Sequence, residues 1–382
     1  MQGQWVLDRL LRAGGLDVLW PDVVGTLLEM GFHPVDIQRT MGEVGSLAAM
    51  PPAWYRLGRW HEQRAHRERE AGHHVTAAEL YHRAVGCFAR ARWGMTGATA
   101  MEVYDRLNAA YDHVIALGTG RISRVEVPVG DGSVPGLLHL PPEASPATPV
   151  PAVLLYPGMD MTKEYLPVPG RDIFTARGLA VLSIDPPGHG YSALRGPLLD
   201  VDNAEAAGRH AIDLLTQRED IDGSRIGVFG VSLGSYFAAS LASQEERISA
   251  AVSFEGGVFY DKVRFVTESQ PTFGRQLARM TGLEGDALHA LLSQMTMAGR
   301  EHQIKCPYLI ATGEWDELCP LVDVNRLFER LGGPKRLVVY EGENHVLGNV
   351  IQEALRDCVD WLADRLAGES CEAVQLVRVP RV

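Results

Sequence analysis

A serine between two glycines, an aspartate and a histidine follow one another along this chain in an order that can make a nucleophile. The serine lies in Gly230-Val231-Ser232-Leu233-Gly234, with apolar Ile226, Val228 and Phe229 before it and an alanine-rich stretch, residues 236–241, after it. That reads as strand, sharp turn and helix. At such a turn the nucleophile's neighbours press against the next strand and helix, where a Cβ would clash, so glycine is needed on both sides. A serine hydroxyl is a weak nucleophile; it requires a base within hydrogen-bond reach and an acid that orients the base. His345, just after the apolar run 336–340, is the expected base, and among thirteen histidines His189 is its rival near the strand ends. Asp316 follows the run 308–312 and stands four residues before Pro320, which favours it as the acid over its neighbours Glu314 and Glu317. A tetrahedral oxyanion also needs donors. The backbone N–H groups of Leu233, at the helix start, and of Met159, after Tyr156-Pro157-Gly158, are the candidates.

These residues need a frame that brings them together. Residues 152–156, 180–185, 225–230, 248–254, 308–312 and 336–340 are short apolar runs, mostly separated by helical pattern. Alternation of that kind specifies a parallel sheet with helices on both faces, and its ligand site belongs at the carboxyl ends of the strands. Ahead of it, residues 125–129 and 134–140 flank Gly130-Asp131-Gly132 as a β-hairpin, and a proline-rich link covers 141–151. An insertion at about 257–300, with helical pattern at 273–280 and 287–297, suits a lid. Residues 371–382 have strand-like composition but no assignable role.

Residues 1–118 read as entirely helical. Trp20-Pro21-Asp22 opens a helix that Gly31 stops, and Pro51-Pro52 starts another. Thr76 with Glu79, and Thr99 with Glu102, match capping boxes. Behind them Ala77, Leu80, Tyr81, Ala84, Phe88 and Ala91 share one helix face, and Tyr104, Leu107, Tyr111 and Val114 another, as packing stripes. His61-Glu62-Gln63-Arg64-Ala65-His66 is one residue too long for the H-E-x-x-H zinc motif, so it is expected to be a solvated charged face.

A net charge of −12 argues against sequence-independent nucleic-acid binding. No apolar run reaches the length of a membrane span, and the N-terminus interleaves charge with apolar residues unlike a signal peptide. A cytoplasmic protein is expected. Five scattered cysteines suit free thiols, with Cys319 a small buried hydrophobe.

The serine elbow, Asp316, His345 and the loop Asp185-Pro186-Pro187-Gly188-His189-Gly190-Tyr191-Ser192 together resemble the α/β-hydrolase superfamily over about residues 121–366. The helical start followed by Gly158-Met159-Asp160-Met161-Thr162-Lys163-Glu164 is similar, more narrowly, to the 2,6-dihydroxypseudooxynicotine hydrolase group, with the fungal polyketide-shortening hydrolases and fermentation-respiration switch proteins. That likeness extends over nearly the whole chain, and the separations of 84 residues from Ser232 to Asp316 and 29 from there to His345 are similar to those of the group's triad. The resemblance implies a helical cap domain (1–118) over a catalytic domain (119–382), a Ser232-His345-Asp316 triad, and no metal or organic cofactor. It also implies a small-molecule substrate cleaved at an ester or a carbon–carbon bond, of aromatic or polyketide-like character. Some such carbon–carbon hydrolases use an extra lid carboxylate, for which Glu255 and Glu268 are both open. Tyr165, His189 and Trp315 are further candidates for substrate contact, and the aromatic helical domain makes a homodimer an expectation. A carboxylesterase or thioesterase of simple acyl substrates would carry the same motifs. So would a partner-binding protein that kept the fold without the chemistry.

Overall fold

A computed structural model of the chain describes residues 8–10, 12, 23–93, 95, 97–118, 120–169, 172–268 and 271–381. The strands are β1 (Arg121–Val129), β2 (Gly132–Leu140), β3 (Val150–Tyr156), β4 (Ala180–Ile184), β5 (Ile221–Val231), β6 (Ile248–Phe254), β7 (Tyr308–Gly313), β8 (Lys335–Tyr340) and β9 (Val374–Val379). They form one nine-stranded sheet in the order β1-β2-β4-β3-β5-β6-β7-β8-β9. From β4 across to β9 every neighbouring pair is parallel, while β2 runs antiparallel to β4. All residues of β4 and β7 are buried, as strands covered on both faces must be. β5 begins at Ile221, earlier than its apolar run, because Ile221 pairs with Val150 across a register shift.

The helices that cover the sheet are chosen for close approach. In α6 (Val201–Thr216) the buried face is Ala204, Ala207, Gly208, Ala211, Ile212 and Leu215. A Cβ on Gly208 would come within 2.4 Å of Tyr156 Oη on β3, so no larger residue fits there. Helix α7 (Leu233–Ala242) is buried along its whole length, and α10 (Leu321–Arg330) and α11 (Ile351–Leu366) follow β7 and β8.

Two compact units are present: Met1–Arg121 with Glu164–Arg171 and Gly348–Gln352, and Ile122–Lys163 with Asp172–Leu347 and Glu353–Val382. In the first lie α1 (Val23–Glu29), α2 (Pro34–Glu43), α3 (Met50–Glu70), α4 (His74–Ala91) and α5 (Gly97–Leu117). Gly31, at φ 85, ends α1 as expected: its N–H donates to Leu28 O and that of Phe32 to Leu27 O, a Schellman pair. Trp20-Pro21-Asp22 lies outside the described residues. Both packing stripes are buried.

Three local expectations are corrected. Thr76 does not cap α4, since the helix already starts at His74 with the Ala77 N–H donating to His73 O, which puts Thr76 inside the first turn. Thr99 lies inside α5 for the same reason. His61 is no solvated face: it is fully buried with Nε2 2.9 Å from Asp36 Oδ2, and Arg83 grips the same carboxylate through two bonds of 2.7 Å. A buried charge must be paired, and this one joins three helices.

The 257–300 insertion carries a short helix (Arg264–Thr267), α8 (Pro271–Thr281) and α9 (Gly285–Gln294). Leu277, Met280, Leu288, Leu292, Met295 and Met297 sink into the main core. Helix α9 stops short of the expected residue 297 because Met295 leaves helical geometry at ψ 73, and its carbonyl accepts from buried Lys262 Nζ. The same Nζ, whose pKa burial pushes well below the ordinary lysine value, lies 3.4 Å from the centroid of Tyr236 on α7 and so packs the insertion against the elbow helix. β9 gives the C-terminal tail a place as an edge strand on β8. Among the described residues no helix is long and apolar enough to cross a membrane.

Candidate active site

The carboxyl ends of β5, β7 and β8 bring Ser232, Asp316 and His345 together. Ser232 sits between β5 and α7 at φ 53 and ψ −115, a backbone state that costs a non-glycine residue about 1–3 kcal/mol. What holds it is local. Its N–H donates to Phe254 O at the end of β6 at 2.9 Å, and Ser235 Oγ donates to Gly230 O at 3.0 Å. The flanking glycines are as constrained as their spacing implies: a Cβ on Gly230 would lie 2.3 Å from Gly234 O, and one on Gly234 2.4 Å from Tyr156 O.

Ser232 Oγ is 2.7 Å from His345 Nε2, and His345 Nδ1 is 2.9 and 3.0 Å from the two carboxylate oxygens of Asp316. In the neutral imidazole, Nδ1–H donates to Asp316 and Nε2 accepts from the serine. Asp316 is fixed in turn, because its Oδ1 accepts the N–H groups of Leu318 and Cys319 at 2.9 and 2.6 Å. Burial by itself lowers the His345 pKa, but the Asp316 charge and the Cys319 thiol beside it outweigh burial and hold it well above the ordinary value. The acid and base loops touch at Gly313, where a Cβ would meet Glu343 O at 2.3 Å. The rival acids are elsewhere. Glu314 accepts from Gly342 N–H and Arg378, and Glu317 is exposed.

Of the two expected oxyanion donors, Leu233 directly follows the serine, and the residue before Met159 approaches it. Leu233 is the first residue of α7, whose leading N–H groups have no acceptor within the helix. Gly158, next to Met159, is close enough that a Cβ on it would lie 3.6 Å from Ser232 Cβ. The loop that carries Met159 is anchored by an ion pair invisible in the sequence: fully buried Lys163 donates through Nζ and its own N–H to Asp185 at 3.2 and 2.9 Å. Asp185 also accepts from the Tyr191 N–H, so one carboxylate fastens the β3 and β4 loops.

Of the two carboxylates left open, the fold brings Glu255 to the triad and leaves Glu268 exposed. Glu255 directly follows β6 at φ 61 and is 6% exposed. Burial raises its pKa to about 8; the positive charge of His345 pulls it down, and Asp160 and Asp316 push it up. With Ser232 and Leu347 it completes the non-glycine residues of positive φ among those described, and Leu347 lies two places after His345. His189 is buried edge-on to Phe237 with Nδ1 3.2 Å from Pro187 O. Trp315 is exposed, and Tyr165 lies in the helical unit with its ring 6.2 Å from Phe32.

Cys319 is buried, as the sequence reading of a small buried hydrophobe expects, and its place beside the triad is what the structure adds. Its thiol, a carboxylate oxygen of Asp316 and a ring nitrogen of His345 all lie within 4.8 Å of one another, which makes these three the metal-competent donor group found among the described residues. The turn Asp316-Glu317-Leu318-Cys319, closed by two N–H bonds to one carboxylate, was the available signal.

Comparison with known proteins bears on the family and the fold. A family model described as Esterase FrsA-like matches residues 52–367. The chain is 28% identical over 318 residues to a 2,6-dihydropseudooxynicotine hydrolase of Paenarthrobacter nicotinovorans, covering 82% of this chain and 83% of that protein. It is also 28% identical over 286 residues to Hydrolase pyiE of Pyricularia grisea, and there the match spans 67% of this chain and 60% of the relative. The crystal structure of the 2,6-dihydroxy-pseudo-oxynicotine hydrolase superposes with a TM-score of 0.81 at 25% identity, over 92% of this chain and 98% of that one.

Proposed function

Because the chain belongs to the FrsA-like esterase family and has the α/β-hydrolase fold, we propose that this hydrolase works through a Ser232-His345-Asp316 triad on an activated carbonyl. The observation that carries the reading is the 2.7 Å contact between Ser232 Oγ and His345 Nε2, with Asp316 behind the ring. His345 takes the serine proton as Oγ attacks the carbonyl carbon. Asp316 stabilises the imidazolium, and the Leu233 and Met159 N–H groups receive the oxyanion, where loss of one such donor typically costs about 3 to 4 kcal/mol. Collapse expels the leaving group with the proton from His345, and water then releases the acyl group by the reverse sequence.

The favoured substrate is an acyl ketone, β-dicarbonyl or ester of an aromatic or polyketide-like molecule. Cleavage of a carbon–carbon bond requires a carbanion leaving as an enolate or phenol, which needs nearby proton donors. Glu255, held protonated at neutral pH by burial, supports this half of the reading because a neutral carboxylic acid can donate to a substrate hydroxyl or keto oxygen. A fluorophosphonate probe should form its adduct on Ser232, and none should form on Ser232→Ala. In a product assay, release of an acid and a ketone or arene from β-dicarbonyls supports the carbon–carbon reading. Fast turnover confined to simple aryl esters would replace it with a carboxylesterase, and absence of any adduct on the folded protein would remove the enzymatic mechanism altogether.

A further inference from the structure

Cys319 neither forms a bond nor moves a proton in the acyl-transfer steps proposed for this centre. Its Sγ, Asp316 and His345 are buried, with their donor atoms within 4.8 Å of one another. The backbone keeps the thiol there. Because the Leu318 and Cys319 N–H groups both donate to Asp316 Oδ1, the chain folds back over the carboxylate. The end of β6 closes the other side, where a Cβ on Gly256 would lie 2.8 Å from Cys319 Cβ and 3.3 Å from Asp316 Oδ2.

We infer that this cluster is an inhibitory site for a thiophilic divalent cation of the zinc class, bound by Cys319 Sγ, an Asp316 oxygen and His345 Nδ1. Sulfur, imidazole nitrogen and carboxylate oxygen form a donor set that zinc takes. Charge fits as well. A thiolate, a carboxylate and a neutral imidazole exactly offset a divalent cation, so the filled site buries no net charge. Tetrahedral zinc with bonds of about 2.0–2.3 Å holds its donors roughly 3.5 Å apart, which these side chains reach by shifts on the order of 1 Å.

Ligation disarms the base by moving protons. The thiol gives its proton to solvent. Nδ1 can bind the ion only after losing the proton it donates to Asp316, and the ring stays neutral when that proton sits on Nε2 instead. Nε2–H then faces Ser232 Oγ as a donor and cannot accept. The ion acts as an off-switch rather than as a cofactor. Metal binding itself does not depend on the proposed mechanism; the loss of activity rests on it.

The test is titration of the full chain with cobalt(II), read by thiolate-to-metal charge-transfer absorption, and with zinc, read by aryl-ester turnover. The absorption band should appear in the native protein and in Ser232→Ala, and be absent from Cys319→Ala and Cys319→Val that retain native near-UV circular dichroism. With free zinc at about ten times its Kd, native turnover should fall about tenfold, while each Cys319 variant loses less than about twofold relative to its own metal-free rate. A native protein without the band, or equal inhibition of the native protein and both Cys319 variants, overturns the site. Ser232→Ala keeps the two readings apart, since its band reports the ion site whatever the serine does in catalysis.

Discussion

Glu255→Gln should stabilise the protein at alkaline pH and leave its stability in acid nearly unchanged. Glu255 is 6% exposed, and burial carries its pKa from 4.5 to about 8 against the attraction of His345. The unfolded chain therefore releases this proton near its ordinary value, whereas the folded protein keeps it until about pH 8. Between those values the unfolded state binds fewer protons, so stability falls as pH rises, by about 1.4 kcal/mol per pH unit. Across the window the loss is up to roughly 5 kcal/mol, an upper bound because any water that reaches the carboxylate weakens the effect of burial. Glutamine keeps the shape of the neutral acid and does not titrate. Urea unfolding of both proteins at about pH 5, 7 and 9 isolates the residue together with its coupling to His345, Asp160 and Asp316, because groups not coupled to it titrate alike in the pair. The two stabilities should separate by about 3 kcal/mol or more between the extremes. Parallel curves with a constant offset would refute the argument, since they would mean that the carboxylate is already ionised in the fold.

Two other substitutions probe the same centre. Asp316→Asn removes the charge that outweighs burial at His345, so the acid limb of the kcat/KM profile should move to lower pH while the plateau falls on the order of 10⁴-fold. An unshifted limb would separate His345 from the base role. Gly234→Ala places a Cβ 2.4 Å from Tyr156 O, a clash between backbone segments that no rotamer relieves. It should lower stability by about 3 kcal/mol in denaturant unfolding and abolish fluorophosphonate labelling.

The parallel strands were legible because burial on both faces demands unbroken apolar runs: residues 248–254 form β6 to the residue. β9 escaped assignment because an edge strand has no buried face to write a pattern, and Val374, Leu376 and Arg378 all remain exposed on one side. Helix starts were misplaced where side-chain signals stood in for backbone geometry, as at Thr76. His61 and Asp36 are joined only through the packing of α2 on α3, and Lys163 and Asp185 only through adjacent strand ends. No spacing rule along one chain predicts such pairs. Asp316 and His345 could be found because each lies on the loop after a recognisable strand, whereas the thiol between them read only as a small buried hydrophobe, because its place at the centre depends on the four-residue turn Asp316-Glu317-Leu318-Cys319.

Ser232, Glu255 and Leu347 each hold a positive φ that non-glycine residues rarely adopt, and each stands on a different loop of the same centre. At about 1–3 kcal/mol per position, opening these loops relieves strain that the strands beneath them do not carry. Heat should therefore reach the chemistry before it reaches the sheet. An activity assay and a melting curve are two different thermometers for this protein, and the first should read the lower temperature.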